Sequence, residues 1–513
     1  MSAIVGLTAP PGETSIRGPW SRAATWLSVL LVFGLAVLIR GLVVANTDVS
    51  WLLTLGERVL DGQRPYVDFI EFNSPAALYL YVPGIAVARL LGLSPEFVTD
   101  ALVFAVLGAS LWISARIVAR TGLLAPIEGG WVLICATVIL TVLPAQTFGE
   151  REHIAVAMFL PMLSVLQARA HARMPDLPAL VAAGLGAGLT VVVKPHLALG
   201  FAAALAVTAY AARSWAALIA FEVRIAAAVI ALYAAVVVFA FPHFLADTMP
   251  LARDLYVPIR MSFSDLMFGS PAIPIWILTL VALAVLRRRQ AMDDRYAILL
   301  AGSAGFAAAF LIQGKGWPYH SYPMLTLGLL ALAVAIAERR RDGTSRAELG
   351  GWVLLSGAIW FGTFAWMNLA TTLGSLVAPI RQIKAHPTML AITHDIAIGH
   401  PLVREVEGTW VGPVPCLWIT AGAKWRLTHQ ESTAEERARL ERYIAFDRGL
   451  LIDALRRRKP DVILIQKEPS DWVAWARADR EIADLLRSYS EAVTTNEILV
   501  LKRRDIAGLQ KPG

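Results

Sequence analysis

Eleven long apolar segments run through the first part of this 513-residue chain, and they leave it few folds to choose from. They fall at residues 24–45, 98–118, 127–146, 153–168, 178–193, 197–212, 223–242, 272–286, 295–312, 321–337 and 350–370. A helix crossing a bilayer needs about 20 apolar residues, and only helices or closed barrels satisfy their backbone there. Composition agrees: 57% of the residues are hydrophobic and 17% charged, where a soluble chain carries about 25% charge. The expected fold is mainly α, a polytopic membrane protein of about eleven spans with interfacial juxtamembrane helices. The apolar run at the N-terminus begins near Ala24, after Arg17 and Arg22, and passes Arg40 to Ala45. It lacks a small-residue cleavage site and reads as a retained first span.

A twelfth apolar stretch, 75–91, decides the topology. Basic junctions lie at Arg17/Arg22, Arg116/Arg120, Arg169/His171/Arg173, Arg213, Arg287 to Arg289 and Arg339 to Arg346. If 75–91 crosses the membrane, every later junction changes side relative to the N-terminus. If it lies along the interface, all six junctions are cytoplasmic, as the positive-inside rule expects. Its Pro83, Gly84, Tyr79 and Tyr81, with Tyr66 nearby, favour the interface. Residues 46–97 and 243–271 are then large outer loops, and everything after about residue 371 is non-cytoplasmic. The net charge of +7 sits largely in the short loops. No polar stretch with interleaved aromatics points to nucleic acid.

Residues 1–370 form the expected membrane domain and 371–513 a small α/β domain. In the latter, apolar runs shorten to strand length at Met389–Thr393, Leu417–Ile419, Val462–Ile465 and Ile498–Leu501. Ser432 with Glu435 fits a capping box, followed at helical spacing by Leu440, Ile444, Leu451 and Leu455; a second helix is expected over about 471–489. There is no Gly-rich phosphate loop and no internal repeat. Cys135 lies in a span and Cys416 in the C-terminal domain, so they are not expected to pair, and no Cys/His spacing marks zinc.

The polar residues of the membrane part gather in five clusters on one side. Ionisable groups near a bilayer persist where they pair, face water or serve a site. Asp48 follows the first span and suits a general base for an acceptor hydroxyl or amine. Asp68, Glu71 and Asn73 suit an acceptor or a sugar, although Asn73 also fits a cap for a helix with Pro75 in its first turn. Glu150-Arg151-Glu152-His153 separates two spans with almost no loop, either as site residues or as a structural pair. Lys194-Pro195-His196 interrupts an apolar stretch. An unpaired ammonium there is costly, a lipid phosphate is its natural counter-charge, and replacing Lys194 is expected to leave the fold intact; snorkelling is the alternative. In Gly314 to His320, Lys315 and His320 offer charge and hydrogen bonds, while Trp317 and Tyr319 suit sugar stacking or an aromatic belt.

These elements, taken in order, resemble the integral-membrane glycosyltransferases of the GT-C fold. The likeness is to the branch of protein O-mannosyltransferases and the bacterial lipid A aminoarabinose transferase. They are Asp48 after the first helix; the stretch Val59 to Gly62 through Pro65-Tyr66-Val67-Asp68; Glu71 to Ser74-Pro75, opening a juxtamembrane helix; the charged second outer loop, Glu150 to His153; and Gly188-Leu189 through Lys194-Pro195. The resemblance covers about residues 24–370. It implies a cavity at the outer membrane–water boundary, a polyprenyl-phosphate-linked sugar as donor, and an envelope glycolipid, polysaccharide or protein as acceptor. It also implies the bacterial inner membrane as location, with the C-terminal domain periplasmic. Asp48 matches the acidic base or acceptor-orienting residue, and Lys194 the donor-phosphate lysine. Relatives often carry two adjacent acidic residues in the first loop, where Asp48 is followed by Val49, and Asp in the second loop, where Glu150 and Glu152 stand here.

An inverting glycosyltransferase would use Asp48 as base, with Lys194 and Arg151 or Lys315 at the departing phosphate. His320 adds to the phosphate side; Glu150, Glu152, His153, His196 and Tyr319 join Asp68, Glu71 and Asn73 as acceptor or sugar contacts. No soluble nucleotide is needed, in keeping with the absence of a nucleotide-binding loop. Acidic residues suit a divalent cation, but no complete ligand set is evident. A flippase for a lipid-linked sugar is the alternative; charges at one boundary and the lack of a repeat weigh against it. A scaffold binding cell-wall glycan through its C-terminal domain would leave the five clusters unexplained.

Overall fold

The computed structural model describes residues 22–288, 293–341, 345–369 and 373–505. Arg17, Arg289 and the side chains of Arg340, Arg341 and Arg346 lie outside the described residues.

The chain opens with α1 (Arg22–Arg40), α2 (Thr47–Leu60), α3 (Pro75–Tyr79), α4 (Val82–Leu91) and α5 (Pro95–Thr121). It continues with α6 (Pro126–Thr141), α7 (Arg151–Ala170), α8 (Leu177–Val193), α9 (Ala198–Ala211), α10 (Phe221–Ala240) and a single turn, α11 (Met249–Leu251). Then come α12 (Ala272–Arg287), α13 (Asp294–Gln313), α14 (Pro318–Arg341) and α15 (Arg346–Met367). Each of the eleven expected spans contains a helix, with the ends of 24–45 and 127–146 falling beyond α1 and α6. Seven helices, α1, α5, α7, α10, α13, α14 and α15, are long and apolar enough to cross a membrane; α6, α8, α9 and α12 are apolar but shorter. The stretch 75–91 breaks at Leu80–Tyr81 into two helices, each too short to cross, and α4 packs between α2 and α5. Helix α2 was not expected: it fills the start of the segment 46–97, read from the sequence as a loop, and buries Val49 to Gly56.

Helices α7 and α14 form the buried centre of the bundle. Close packing fixes α8 against α7: a Cβ on Gly186 would stand 2.2 Å from the Met158 carbonyl oxygen, which no side chain tolerates. Several residues of the basic junctions are ion-paired at one end of the bundle. Arg116 and Arg120 share Asp176, Arg169 meets Glu222, and Arg287 and Arg295 share Glu338. A cavity of about 740 Å³ opens at this end, lined by Arg22, Arg116, Arg120, Gln167 and Arg295 among others.

After α16 (Gly374–Ile383), the C-terminal domain folds as β1 (Thr388–Ile392), α17 (Leu402–Glu405), β2 (Thr409–Trp410), α18 (Trp418–His429), α19 (Ala434–Arg458), β3 (Val462–Gln466), α20 (Trp472–Ala478), α21 (Arg480–Leu486), β4 (Tyr489–Thr494) and β5 (Ile498–Arg503). The five-stranded sheet has the order β2-β1-β3-β5-β4. Strand β1 runs parallel to β2 and β3, and β5 antiparallel to β3 and β4. The α/β expectation holds in type, with three corrections. Leu417-Trp418-Ile419 is not a strand but the entry to α18: Asp447 accepts from both the backbone N–H and the hydroxyl of Thr420, in the first turn. The capping box lies one residue on, at Thr433 and Glu436. The helix expected over 471–489 is split, because Asp479 caps a new helix at Arg480, and Tyr489 already begins β4.

Contacts between the domains are specific. Arg404 pairs with Glu57 (2.8 Å) and Glu96 (2.5 Å). Arg58 donates to the Gly412 carbonyl and Ile70 N–H to the Pro413 carbonyl. Asp254, in the segment between α11 and α12, is held by Arg439 (3.1 Å) and Tyr443 (3.2 Å) of α19.

Asp447 carries a pH prediction. It is fully buried, and its second oxygen has no partner among the described residues. Burial raises its carboxyl from 3.8 to about 6, against the pull of Thr420. The folded protein therefore holds this proton where the unfolded chain has lost it, so the cost accrues as pH rises from about 4 to 6 and stays constant above. Asp447→Asn is expected to stabilise the protein by about 1–3 kcal/mol at pH 7.5 and by nothing near pH 4. Thermal melts of the full chain at the two pH values check this; an Asn variant that melts lower at pH 7.5 contradicts it.

Candidate active site

Asp48 sits in the first turn of α2, a favourable place for an anion, with Asn46 capping the helix by accepting from Asp48 N–H (2.9 Å). Its Oδ2 accepts from Arg151 Nη2 at 2.7 Å and from the Tyr319 hydroxyl at 2.9 Å. No hydrogen bond among the described residues occupies Oδ1. The Arg151 side chain is 2% exposed and that of Asp48 22%, so the carboxylate alone of the pair meets solvent.

Three segments hold Arg151 in place. It begins α7, two residues after Gly149, whose φ of +79° turns the chain toward α7. Its second arm donates to Asn73 Oδ1. Asn73 is fixed in turn by the buried Glu71, which accepts from Asn73 N–H (2.7 Å), Asn73 Nδ2 (2.6 Å) and Trp51 Nε1 (2.5 Å). Burial pushes the Glu71 carboxyl up, opposed by those donors and by Arg151. Asn73 thus makes no helix cap: position 74 precedes α3, with no side-chain cap bond.

On the other side of Tyr319 stands a second group. Lys194 Nζ lies 2.8 Å from Glu152 Oε1, and His320 Nε2 lies 3.5 Å from the same oxygen. The His196 and His320 rings are 6.5 Å apart, and Lys194 Nζ is 5.9 Å from the Tyr319 ring centre. Tyr319 thus faces both halves, its ring toward Lys194 and its hydroxyl on Asp48. Lys194 is not unpaired as expected; the fully buried Glu152 is its counter-charge. Glu150 is also fully buried, 3.8 Å from Arg151, and neither of its oxygens has a hydrogen-bond partner among the described residues. Three carboxylates therefore face two fixed cations.

Asp48, Glu71, Asn73, Glu150, Arg151, Glu152, Lys194, His196, Tyr319 and His320 thus come together. Three expected residues do not. Asp68 pairs with Arg64 in an exposed turn (3.1 Å). His153 is structural: its Nδ1 accepts from Gly149 N–H (3.0 Å), and its Nε2 meets the Leu140 carbonyl (2.7 Å), clamping the α6–α7 turn. Lys315 donates to the carbonyls of Tyr256 and Ile259 and lies 3.9 Å from the Tyr256 ring centre. Burial, with Arg260 nearby, lowers its ammonium to about 8. It braces the segment 243–271 instead of joining Lys194. The supporting Trp51 and Tyr256 were missed; Trp51, three residues after Asp48 on α2, was the more legible of the two.

No group of three or more His, Cys, Asp or Glu side chains among the described residues is placed to hold a metal ion. The 740 Å³ cavity is at the far end of α7, by Gln167, and is separate from this site.

No family model matches the chain, and no curated protein matches it. Among solved structures it is similar to the Archaeoglobus fulgidus oligosaccharyltransferase in complex with Zn and sulfate, at 12% identity and a TM-score of 0.44, over 90% of this chain and 71% of that one. It is also similar to the arabinofuranosyltransferase AftD from Mycobacteria, at 11% identity and a TM-score of 0.46, over 95% of this chain and 40% of that one. At these values neither likeness bears on chemistry.

Proposed function

We propose that this chain is a membrane glycosyltransferase that moves a sugar from a polyprenyl-phosphate carrier to an envelope glycolipid, polysaccharide or protein. The reading places the reaction on the non-cytoplasmic face of a bacterial inner membrane. Residues 1–370 would carry the chemistry and 371–513 would stand outside the cytoplasm. The observation that carries it is Asp48: a carboxylate at the end of the bundle opposite the basic junctions, with Oδ2 anchored by Arg151 and Tyr319 and Oδ1 without a hydrogen bond among the described residues. Lys194, a phosphate-binding side chain by type, stands across the same tyrosine ring.

In this reading the acceptor oxygen forms a bond to the anomeric carbon from the face opposite the phosphate. The bond from that carbon to the phosphate oxygen breaks, and its electron pair leaves with polyprenyl phosphate. Asp48 Oδ1 takes the acceptor proton. Arg151 and Tyr319 are positioning residues that fix the carboxylate, with Asn73 and Glu71 behind Arg151. Lys194, flanked by His196 and His320, is the side that stabilises the leaving phosphate. The phosphate must then share or displace Glu152 on Lys194.

The test is mass analysis of envelope glycolipids, polysaccharides and glycoproteins from cells with and without the protein. One class lacking a single sugar residue is the expected result. Unchanged glycans in every class would count against the reading.

A further inference from the structure

The cavity of about 740 Å³ at the basic end lies between α1, α5, α6, α7, α13 and α14. It is remote from Asp48: Gln167, on its wall, is 16 residues along α7 from Arg151, about 24 Å at the helical rise. Its volume falls in the usual range of ligand pockets, about 300–1,000 Å³. Inward it reaches Leu160 of α7 and Leu330 of α14, each about half-way along its helix. From Gln167 to Leu160 it runs about 10 Å into the bundle. That depth is apolar, with Leu133, Leu163 and Val334 on its walls.

The rim has the opposite character. Among the described residues, every ionisable side chain that lines the cavity is an arginine: Arg22 at the start of α1, Arg116 and Arg120 near the end of α5, and Arg295 in the first turn of α13. Arg295 is neutralised by Asp293 and Glu338. Arg116 and Arg120 have one carboxylate between them, Asp176, and Arg22 forms no ion pair among the described residues. Glu128 caps its own helix α6 by accepting from Ala125 N–H (2.9 Å). Even with Glu128 counted against the three arginines, one positive charge is left over. Trp26 of α1 and Trp112 of α5 also line the cavity and are 42% and 52% exposed, and tryptophan is the side chain of the bilayer–water boundary. The opening thus lies between α1 and α5, toward lipid. Arg116 is held over the Trp112 ring at 5.6 Å. Ser114 lines the cavity, is 8% exposed, and its hydroxyl has no hydrogen-bond partner among the described residues. A hydroxyl buried in this way calls for an acceptor.

We propose that this cavity binds one anionic phospholipid from the leaflet at the basic end. Its phosphate meets Arg22, Arg116 and Arg120, one acyl chain fills the apolar depth, and an ester carbonyl accepts from Ser114. Charge and shape select it together. Basic pockets between membrane helices hold anionic headgroups. A zwitterionic lipid would bring a further cation to a rim of arginines. A soluble phosphate ester would leave the apolar depth empty. The sugar donor is no candidate, because its phosphate is assigned to Lys194 at the other end of α7. The inference does not depend on the glycosyltransferase reading.

The experiment reconstitutes the full chain in nanodiscs of equimolar phosphatidylglycerol and phosphatidylcholine, then releases it into detergent for native mass spectrometry of the retained lipid. Wild type is expected to keep one phosphatidylglycerol per chain and about tenfold less phosphatidylcholine. Arg22→Gln with Arg120→Gln is expected to lower phosphatidylglycerol retention about tenfold. Both side chains are exposed, and Arg116 stays in place so that Asp176 keeps a partner, so this variant should fold. Ala136→Phe, which fills the apolar depth, should lower retention as well, with Ala136→Leu used if the larger residue fails to fold. Millimolar glycerol phosphate should leave the lipid in place. Equal retention of the two lipids, or retention unchanged in the arginine variant or in a folded Ala136 variant, would overturn the proposal. Displacement by glycerol phosphate would overturn it too, by making the site one for a soluble phosphate ester.

Discussion

Asp48→Asn is expected to lower sugar transfer by about two to four orders of magnitude, the usual share of a general base, with folding and abundance intact. Asparagine keeps the size of the side chain, and its amide oxygen can still accept from Arg151 and Tyr319, which now hold Oδ2. It loses the anionic oxygen that would take the acceptor proton. Arg151 would not be stranded, because Asn73 and Glu150 remain beside it. Tyr319→Phe should cost less, since it frees the carboxylate without removing it. The checks are initial rates with saturating donor, and abundance by size-exclusion chromatography. Near-normal transfer by the Asn variant would move the base to Glu150 or Glu152, since Asp68 lies in an exposed turn paired with Arg64.

The second large effect concerns Lys194, where the structure reverses an expectation. Taken as an unpaired ammonium, it could be removed without harm. With Glu152 at 2.8 Å and fully buried, Lys194→Ala takes away the one ion pair that Glu152 makes with a lysine or arginine among the described residues and leaves it His320 at 3.5 Å. Breaking a buried pair from one side costs about 3–5 kcal/mol, so this single variant should be poorly folded and uninformative about binding. Replacing both partners by neutral groups of similar volume is often neutral. Lys194→Met with Glu152→Gln is therefore expected to fold near normally and to bind a polyprenyl-phosphate sugar about ten- to a hundredfold more weakly, the worth of one charge-assisted contact. Wild-type donor affinity in the folded double variant would make Lys194 a structural cation and place the phosphate elsewhere.

The eleven apolar helices were legible because each is a long run in which charged side chains are rare. Glu150 to Glu152 and Lys194 were legible for the converse reason: a charge inside such a run needs a partner. Which partner could not be read. Glu152 and Lys194 are 42 residues apart in number, and only the packing of α7 on α8 brings them together. Lys315 looked like Lys194 in sequence, a lysine between apolar spans. It binds backbone carbonyls of an outer loop whose path has no periodic pattern. In the C-terminal domain, β1, β3 and β5 showed as apolar runs because they are central and buried on both faces. Strand β2 has two residues, and β4 is an edge strand with Glu491, Ala492 and Thr494 exposed, so neither carries an apolar signal. Leu417-Trp418-Ile419 has the apolarity of a strand, but the distant Asp447 satisfies the first turn of a helix there.

The central claim is that a sugar changes partner at Asp48. Proteoliposomes carrying the protein, a labelled polyprenyl-phosphate sugar and envelope acceptor test it directly, by following both the label and the lipid. Free polyprenyl phosphate appearing in step with label in the acceptor, and neither appearing with Asp48→Asn, is the expected result. Lipid-linked sugar reaching the opposite leaflet intact, with no polyprenyl phosphate released, would contradict it and identify the protein as a transporter of that lipid.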